Sequence, residues 1–178
     1  MIATANLNGV KDSIITWVHN GRIDSSERRL MGIMLDQFPI SWDFSKDISV
    51  AEFFDGLAKK IAEGLKYRKS MNIIYDEGLE DKCACFILQK GAIGRRGILK
   101  LGDTQAVIET LPATEISVAE NIIDIEFNAH DDGTFSLVLN YDVEYYSRAA
   151  MKNFTQKVID VIQGLKTETN MVSELLKI

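Results

Sequence analysis

The stretch NIIDIEFNAHDDGTFSLVLNYDVEYY, residues 121–146, contains two runs in which apolar and polar residues alternate. Alternation with a period of two is typical of a β-strand with one buried face, and Asp-Asp-Gly between the runs is typical of a turn. A two-residue turn would split the apolar residues between two faces, whereas a three-residue loop at 131–133 places Phe127 opposite Leu137. The longer loop also puts Gly133 at the left-handed position that such loops favour. We therefore predict a hairpin with a three-residue loop and one apolar face.

Two amphipathic helices flank this region in the chain. Ser49, followed three residues later by Glu52, matches the pattern of a capping box that begins the first helix. The second helix is predicted over 147–163, with Gly164 suited to its C-cap region. The apolar stripes are Val50, Phe53, Phe54, Leu57, Ile61 and Leu65 in the first helix and Met151, Phe154, Val158, Val161, Ile162 and Leu165 in the second. Such stripes are typical of helices that pack on a hydrophobic core.

Further strands are predicted from short segments rich in β-branched, aromatic and aliphatic residues. They lie at 12–21, 29–40 and 82–90. The glycine-rich segment 91–103 predicts a loop and hairpin, and 105–112 predicts another strand. The order of elements predicts an α/β, two-layer sandwich, in which a mixed, mostly antiparallel sheet carries two main helices on one face.

The composition argues against several classes of protein. The formal net charge is −6 and no run of adjacent basic residues is longer than two, as at Arg95-Arg96, unlike the basic footprint of a nucleic-acid-binding protein. No apolar run reaches the ~18 residues needed to span a membrane. The first residues lack the basic and apolar regions of a signal peptide. We therefore expect a cytoplasmic protein that binds neither nucleic acid nor membrane.

Side chains that commonly perform catalysis are few. His19 and His130 have no neighbour in sequence that makes an obvious nucleophile–base set. Cys83 and Cys85 would share one face of a strand, but two thiols do not make a metal site. We expect both cysteines to be reduced and packed, and we predict no metal site and no catalytic residue.

Residues 20–40, NGRIDSSERRLMGIMLDQFPI, resemble the condensation and epimerization domains of non-ribosomal peptide synthetases. Those domains have a Gly-Arg pair after a strand, then a motif close to (I/V)-G-x-F-V-N-T-L-P-L-R. The matching positions are Gly21 and Arg22 of the pair and Met31, Gly32, Met34, Leu35 and Pro39 of the motif. Asp36, Gln37 and Ser41 stand where the family has Asn, Thr and often Arg. The helix after the motif and the final hairpin and helix are also similar, so the resemblance covers nearly the whole chain.

The resemblance implies a fold and a place within a larger domain. The family consists of two chloramphenicol-acetyltransferase-like lobes that form a V with a tunnel between them, and residues 1–178 resemble the second, C-terminal lobe. Substrate-tunnel positions would be Gly32, Met34, Asp36, Gln37 and Pro39, and Gly21 and Arg22 would be structural. Glycine permits close approach of the backbone, and proline fits where no backbone donor is needed. Residues 91–120 would reach across to the first lobe.

The implied activity belongs to the whole domain, which would be an acyl or peptidyl transferase that forms amide bonds. Its substrates would be thioesters on the phosphopantetheine of carrier proteins, with no cofactor bound directly by this lobe. The expected partners are the N-terminal lobe and the carrier domains. The catalytic motif His-His-x-x-x-Asp-Gly is absent here, since His-Asp-Asp-Gly at 130–133 differs from it. This chain alone is therefore expected to be inactive.

Other interpretations remain open at this stage. Phe38-Pro39 is also typical of epimerization domains, and the departures from the motifs favour a non-catalytic recruitment module. A stand-alone binding lobe unrelated to peptide synthesis is a further alternative. The abrupt opening, with a strand by about residue 12, suggests a piece of a longer chain. An isolated lobe would expose the apolar face meant for its partner, so we expect self-association or binding of a hydrophobic dye.

Overall fold

A computed structural model describes residues 1–22, 24–31, 35–67, 78, 82–90, 97–108, 121–130, 133–166 and 171–176. The helices are α1 (Ile2–Asn8), α2 (Val50–Lys66) and α3 (Arg148–Lys166). The strands are β1 (Asp12–His19), β2 (Asp36–Asp43), β3 (Ala84–Lys90), β4 (Gly97–Leu101), β5 (Thr104–Ile108), β6 (Ile123–Ala129) and β7 (Phe135–Tyr141). Short 3₁₀ helices lie at Glu27–Arg29 and Val172–Glu174.

Five of these strands form one mixed sheet in the order β2-β1-β3-β6-β7. The two outer pairs, β1–β2 and β6–β7, are antiparallel, and the inner pairs, β1–β3 and β3–β6, are parallel. Strands β4 and β5 form a separate antiparallel hairpin. The five-stranded sheet thus has two antiparallel and two parallel pairings, and the hairpin adds a third antiparallel pairing among the described residues. The predicted mixed sheet is confirmed.

The β6–β7 hairpin has the predicted register. Phe127 pairs with Leu137, and the same apolar face continues along both strands. The backbone N–H of His130 donates to Thr134 O at 2.9 Å and closes the loop. Gly133 has φ of 81°, the left-handed conformation for which glycine was expected. The two aspartates of the loop lie outside the described residues.

The three α-helices within the described residues pack on one face of the sheet. The main core cluster contains Ala3 of α1, the strand residues Ile15, Ile40, Ala84, Ile123 and Ile125, and Met151, Phe154 and Val158 of α3. The α2 residues Leu57 and Ile61 border this cluster. The two-layer arrangement with the two main helices on one face is therefore confirmed, with α1 as an addition. Helix α1 has only seven residues, so packing rather than sequence pattern stabilises it.

The predicted N-terminus of α2 is also confirmed. Ser49 Oγ accepts from the Glu52 N–H at 3.2 Å, and the Ser49 N–H donates to Glu52 Oε2 at 2.9 Å. These two bonds complete the capping box.

One residue of the predicted apolar stripe of α2 is not buried. Phe54 is 48% exposed, although its position in the stripe predicted that it would lie in the core.

Two predicted boundaries are wrong. The strand expected at 29–40 begins at Asp36, and Glu27–Arg29 is a 3₁₀ helix. Asp36 pairs with His19, the last residue of β1, so the partner strand ends there. Gly164 lies inside α3 rather than at its end, and Leu175 packs where its side chain would be.

Candidate functional site

Strand β2 carries those predicted tunnel positions that the structure describes. Phe38 and Ile40 are buried against the helices, so Gln37 and Pro39 lie on the opposite face of the sheet. We call this side, on which none of the described helices packs, the open face. Asp36 shares the helix side with Phe38. The structure thus brings Gln37 and Pro39 together and separates them from Asp36, and the predicted positions Gly32 and Met34 lie outside the described residues.

A polar network on the open face centres on the side-chain amide of Gln37. Gln37 Nε2 donates to Thr16 Oγ1 at 2.8 Å, Asn121 Oδ1 at 3.3 Å and Cys85 Sγ at 3.4 Å. Asn121 Nδ2 in turn donates to Asp124 Oδ1 at 2.7 Å. The residues of this network come from β1, β2, β3 and β6 and from the segment just before β6. The network therefore links four strands through their side chains.

Burial makes these hydrogen bonds energetically important. Thr16 is 0% exposed, Cys85 1% and Asp124 7%. A buried polar group without a partner costs about 1–3 kcal/mol, so the shared amide of Gln37 stabilises this part of the sheet. Amide, hydroxyl and carboxylate groups can bind a polar ligand, but these residues contain no nucleophile paired with a base.

Most of this network was not predicted from the sequence. Gln37 was singled out only by its position in the motif. Thr16 and Asp124 look like ordinary polar positions of alternating strands, and nothing in the pattern indicates that they are buried. Gln37 and Asn121 are 84 residues apart, and only the strand order brings them together.

The Gly21-Arg22 pair shapes the chain reversal after β1. Gly21 has φ of 65°, and its N–H donates to His19 Nδ1 at 3.0 Å. Arg22 donates to the carbonyl oxygens of Asn20 at 3.3 Å and Leu30 at 3.5 Å. These bonds tie the end of β1 to the residues that follow the 3₁₀ helix.

The two histidines have surface or structural surroundings. The ring of His19 stacks on Phe38 with 6.4 Å between ring centroids. His130 Nε2 lies 3.0 Å from Ser136 Oγ on the exposed end of the hairpin. Neither histidine belongs to the Gln37 network as the structure describes it.

Both cysteines are buried and reduced, as predicted. Burial raises the pKa of the Cys83 thiol, and the charge of Lys82 opposes this only in part. A thiol with a raised pKa is a poor nucleophile at neutral pH. Within the described ranges, no cluster of three or more His, Cys, Asp or Glu side chains could hold a metal ion.

An apolar groove of about 420 Å³ lies between α2 and α3 on the helix side of the sheet. Its walls include Leu57 and Ile61 of α2 and Ile162 of α3, and its floor includes Trp17, Phe86 and Phe127. Leu88, at the rim, is 39% exposed. The groove has the chemistry of a site for apolar molecules.

None of the described helices is both long and apolar enough to cross a membrane.

Comparison with known proteins gave no match to a family model and none to a curated protein sequence. Solved structures, however, match almost the whole chain. The condensation domain of the monacolin K polyketide synthase MokA has a TM-score of 0.73 at 14% identity, over 96% of this chain and 40% of its own. AB3403, a four-domain non-ribosomal peptide synthetase, has a TM-score of 0.71 at 16% identity, over 98% of this chain and 14% of its own. The first condensation domain of the calcium-dependent antibiotic synthetase has a TM-score of 0.67 at 11% identity, over 94% and 38%.

These identities establish a shared fold. The chain spans about 40% of the condensation-domain chains that it matches. It therefore has the fold of one part of a condensation domain, as the resemblance of residues 20–40 predicted.

Proposed function

We propose that this chain is the C-terminal lobe of a condensation domain of the non-ribosomal peptide synthetase type. The observation that carries the proposal is the match of nearly the whole chain to less than half of each condensation domain. The choice of the C-terminal lobe rests on the Gly21-Arg22 pair and on the motif that ends at Pro39. Both belong to the second lobe in the family that residues 20–40 resemble.

The open face of the sheet is the proposed wall of the tunnel between the lobes. It carries Gln37 and Pro39 and also apolar side chains, with Ile14 and Val138 each 40% exposed. Exposed apolar residues on one face of a sheet are typical of interaction surfaces. The N-terminal lobe and the carrier domains are the proposed partners of this lobe.

The proposed reaction of the complete domain is amide formation between two carrier-bound substrates. The acceptor amine attacks the carbonyl carbon of the donor thioester, the C–N bond forms, and the C–S bond breaks. The amine proton passes to a base, and the donor phosphopantetheine leaves as a thiolate that takes up a proton from that base. That base would be the histidine of the N-terminal lobe. The present lobe would position substrates, and we assign no catalytic residue to it.

Substitution of Gln37 is the best test of whether the open face is the tunnel wall. Its amide holds Thr16 and Asn121, so its loss would disturb the whole open face. Gly32 and Met34 remain predicted tunnel positions that follow from the motif alone, whereas Asp36, on the helix side of β2, is not part of the proposed wall.

The first experiment is to read the coding sequence that precedes Met1. A continuous frame that encodes a lobe with His-His-x-x-x-Asp-Gly supports the proposal. A stop codon directly before Met1 contradicts it and favours a binding module. A lobe with a degenerate motif favours the non-catalytic alternative.

The second experiment measures product formation by the intact protein from aminoacyl thioesters on donor and acceptor carriers. We expect Gln37→Leu to slow amide formation about tenfold, because lost buried hydrogen bonds of about 1–3 kcal/mol displace the wall. The matched control is Gln156→Leu, since Gln156 is exposed on α3 and bonds to Asp160. Equal rates for the two variants would remove Gln37 from the proposed site. Inversion of an acceptor stereocentre without amide formation would identify an epimerization domain instead.

A further inference from the structure

The two edge strands of the five-stranded sheet differ in how they are protected. Natural edge strands carry charge, proline or bulges that prevent pairing with other chains. Strand β2 has Pro39 within it and Asp36 and Asp43 at its ends. Strand β7, with the sequence FSLVLNY, has no charge, no proline and no glycine. Among the described residues, no strand pairs with its outer edge.

Two hydrogen bonds determine which backbone groups of β7 point outward. The N–H of His130 donates to Thr134 O at 2.9 Å, and the N–H of Asp142 donates to Ile122 O at 3.2 Å. Opposite residues in an antiparallel ladder alternate between bonded and non-bonded pairs. The residues of β7 that bond to β6 are therefore Ser136, Val138 and Asn140. The residues whose N–H and C=O point away from β6 are Phe135, Leu137, Leu139 and Tyr141.

A groove of about 610 Å³ lies beside this edge, between β7 and α3. Leu137, Leu139 and Tyr141 line it from the strand, and all three are only partly buried. Arg148 and Lys152, both exposed, line it from the helix. The groove thus combines apolar side chains, cationic side chains and outward-pointing backbone groups.

The charges beside the groove distinguish one partner from another. The chain has a net charge of −6, yet Arg148 and Lys152 lie one turn apart at the N-terminus of α3. The first turn of α3 contains no acidic residue, and a helix N-terminus is itself electropositive. A second copy paired by two-fold symmetry would bring the same cationic side chains together. An acidic partner would instead complement them.

We propose that the outer edge of β7 binds an extended, acidic segment of another protein as an added strand. The backbone of that segment pairs with Leu137, Leu139 and Tyr141, and its acidic side chains meet Arg148 and Lys152. Strand addition at an exposed sheet edge is an established mode of peptide recognition. The inference stands on β7 and α3 alone and does not depend on the condensation-type function.

The test measures the fluorescence anisotropy of a labelled peptide of alternating valine and glutamate, with an alternating valine and lysine peptide as its control. We expect the glutamate peptide to bind at least about tenfold more tightly than the lysine peptide at low salt. Leu137→Pro removes one outward N–H and should abolish this binding. Leu137→Ala keeps that N–H and should bind within a few-fold of the unaltered chain. Circular dichroism and a melting curve establish that both variants are folded.

Reversing the charge beside the groove provides an independent test of the proposed acidic partner. The Arg148→Glu, Lys152→Glu double variant should lose the glutamate peptide and gain the lysine peptide, because the two substitutions reverse the charge beside the groove. Failure of both peptides to bind the unaltered chain would overturn the proposal, and so would equal binding of both. Self-association in sedimentation that Leu137→Pro abolishes, with no peptide binding, would assign the edge to a second copy and overturn the choice of partner.

Discussion

Gly56 and Gly64 lie two turns apart in α2 and have different surroundings. The ring of Trp42 packs directly over Gly56, where a Cβ atom would collide with it. That ring also contacts Phe53 edge-on, with ring centroids 4.8 Å apart. A methyl group on Gly64 would lie 3.9 Å from Phe38 Cδ2, an ordinary contact distance. Close approach of β2 to α2 therefore requires glycine at only one of these two positions.

We expect Gly56→Ala to destabilise the chain and Gly64→Ala to stabilise it. Overpacking costs about 1–3 kcal/mol, whereas alanine gains about 1 kcal/mol over glycine within a helix. Urea denaturation of both variants measures the difference, and Gly64→Ala is the matched control for helix propensity. Equal effects of the two substitutions would show that Trp42 can move away at no cost.

The capping box of α2 illustrates how an element begins at a defined residue. Hydrogen bonds from the backbone and then the side chain of Ser49 lower the pKa of the Glu52 carboxyl from its ordinary 4.5. A carboxyl whose pKa is lower in the folded state stabilises that state above its unfolded pKa. This contribution is lost as the pH falls through the lowered, folded pKa.

We expect Glu52→Gln to be less stable than the unaltered chain at neutral pH and equally stable well below pH 4.5. Urea midpoints at the two pH values provide the measurement. Glu63→Gln, on the exposed side of the same helix, changes the charge equally without touching the cap. A Glu52→Gln deficit that persists unchanged in acid would mean that the carboxylate charge does not stabilise the cap.

At the scale of the whole molecule, the apolar surfaces predict how the isolated chain behaves. The groove between α2 and α3 is apolar, and Leu88 at its rim is 39% exposed. We expect the purified chain to bind 1-anilinonaphthalene-8-sulfonate and to self-associate as concentration rises. Dye titration and sedimentation measure these properties.

A pair of leucine substitutions tests whether the groove is the dye site. Leu88→Glu should reduce dye binding by about tenfold, because a negative charge at the rim disfavours an apolar occupant and repels the sulfonate of the dye. Leu101→Glu, on the separate β4–β5 hairpin where Leu101 is 57% exposed, should leave dye binding unchanged. A monomeric chain that binds no dye would contradict the expectation that the isolated chain exposes apolar surface.

Local sequence signals determined the elements of this protein well. The register of the β6–β7 hairpin follows from alternation and from Gly133, and the start of α2 follows from Ser49 and Glu52. Each of these signals acts over a few neighbouring residues, so tertiary contacts need not be known. The resemblance of residues 20–40 to a family motif supplied the fold that the comparisons confirmed.

Only the tertiary structure decided which distant residues meet. The start of β2 at Asp36 depends on where β1 ends, and the contact between Leu175 and Gly164 of α3 joins two separate segments of the chain. The partners of Gln37 depend on the order β2-β1-β3-β6, which no single segment specifies. Hydrophobic periodicity reports the face on which a side chain lies, but the neighbours on that face follow from how all the strands pack together.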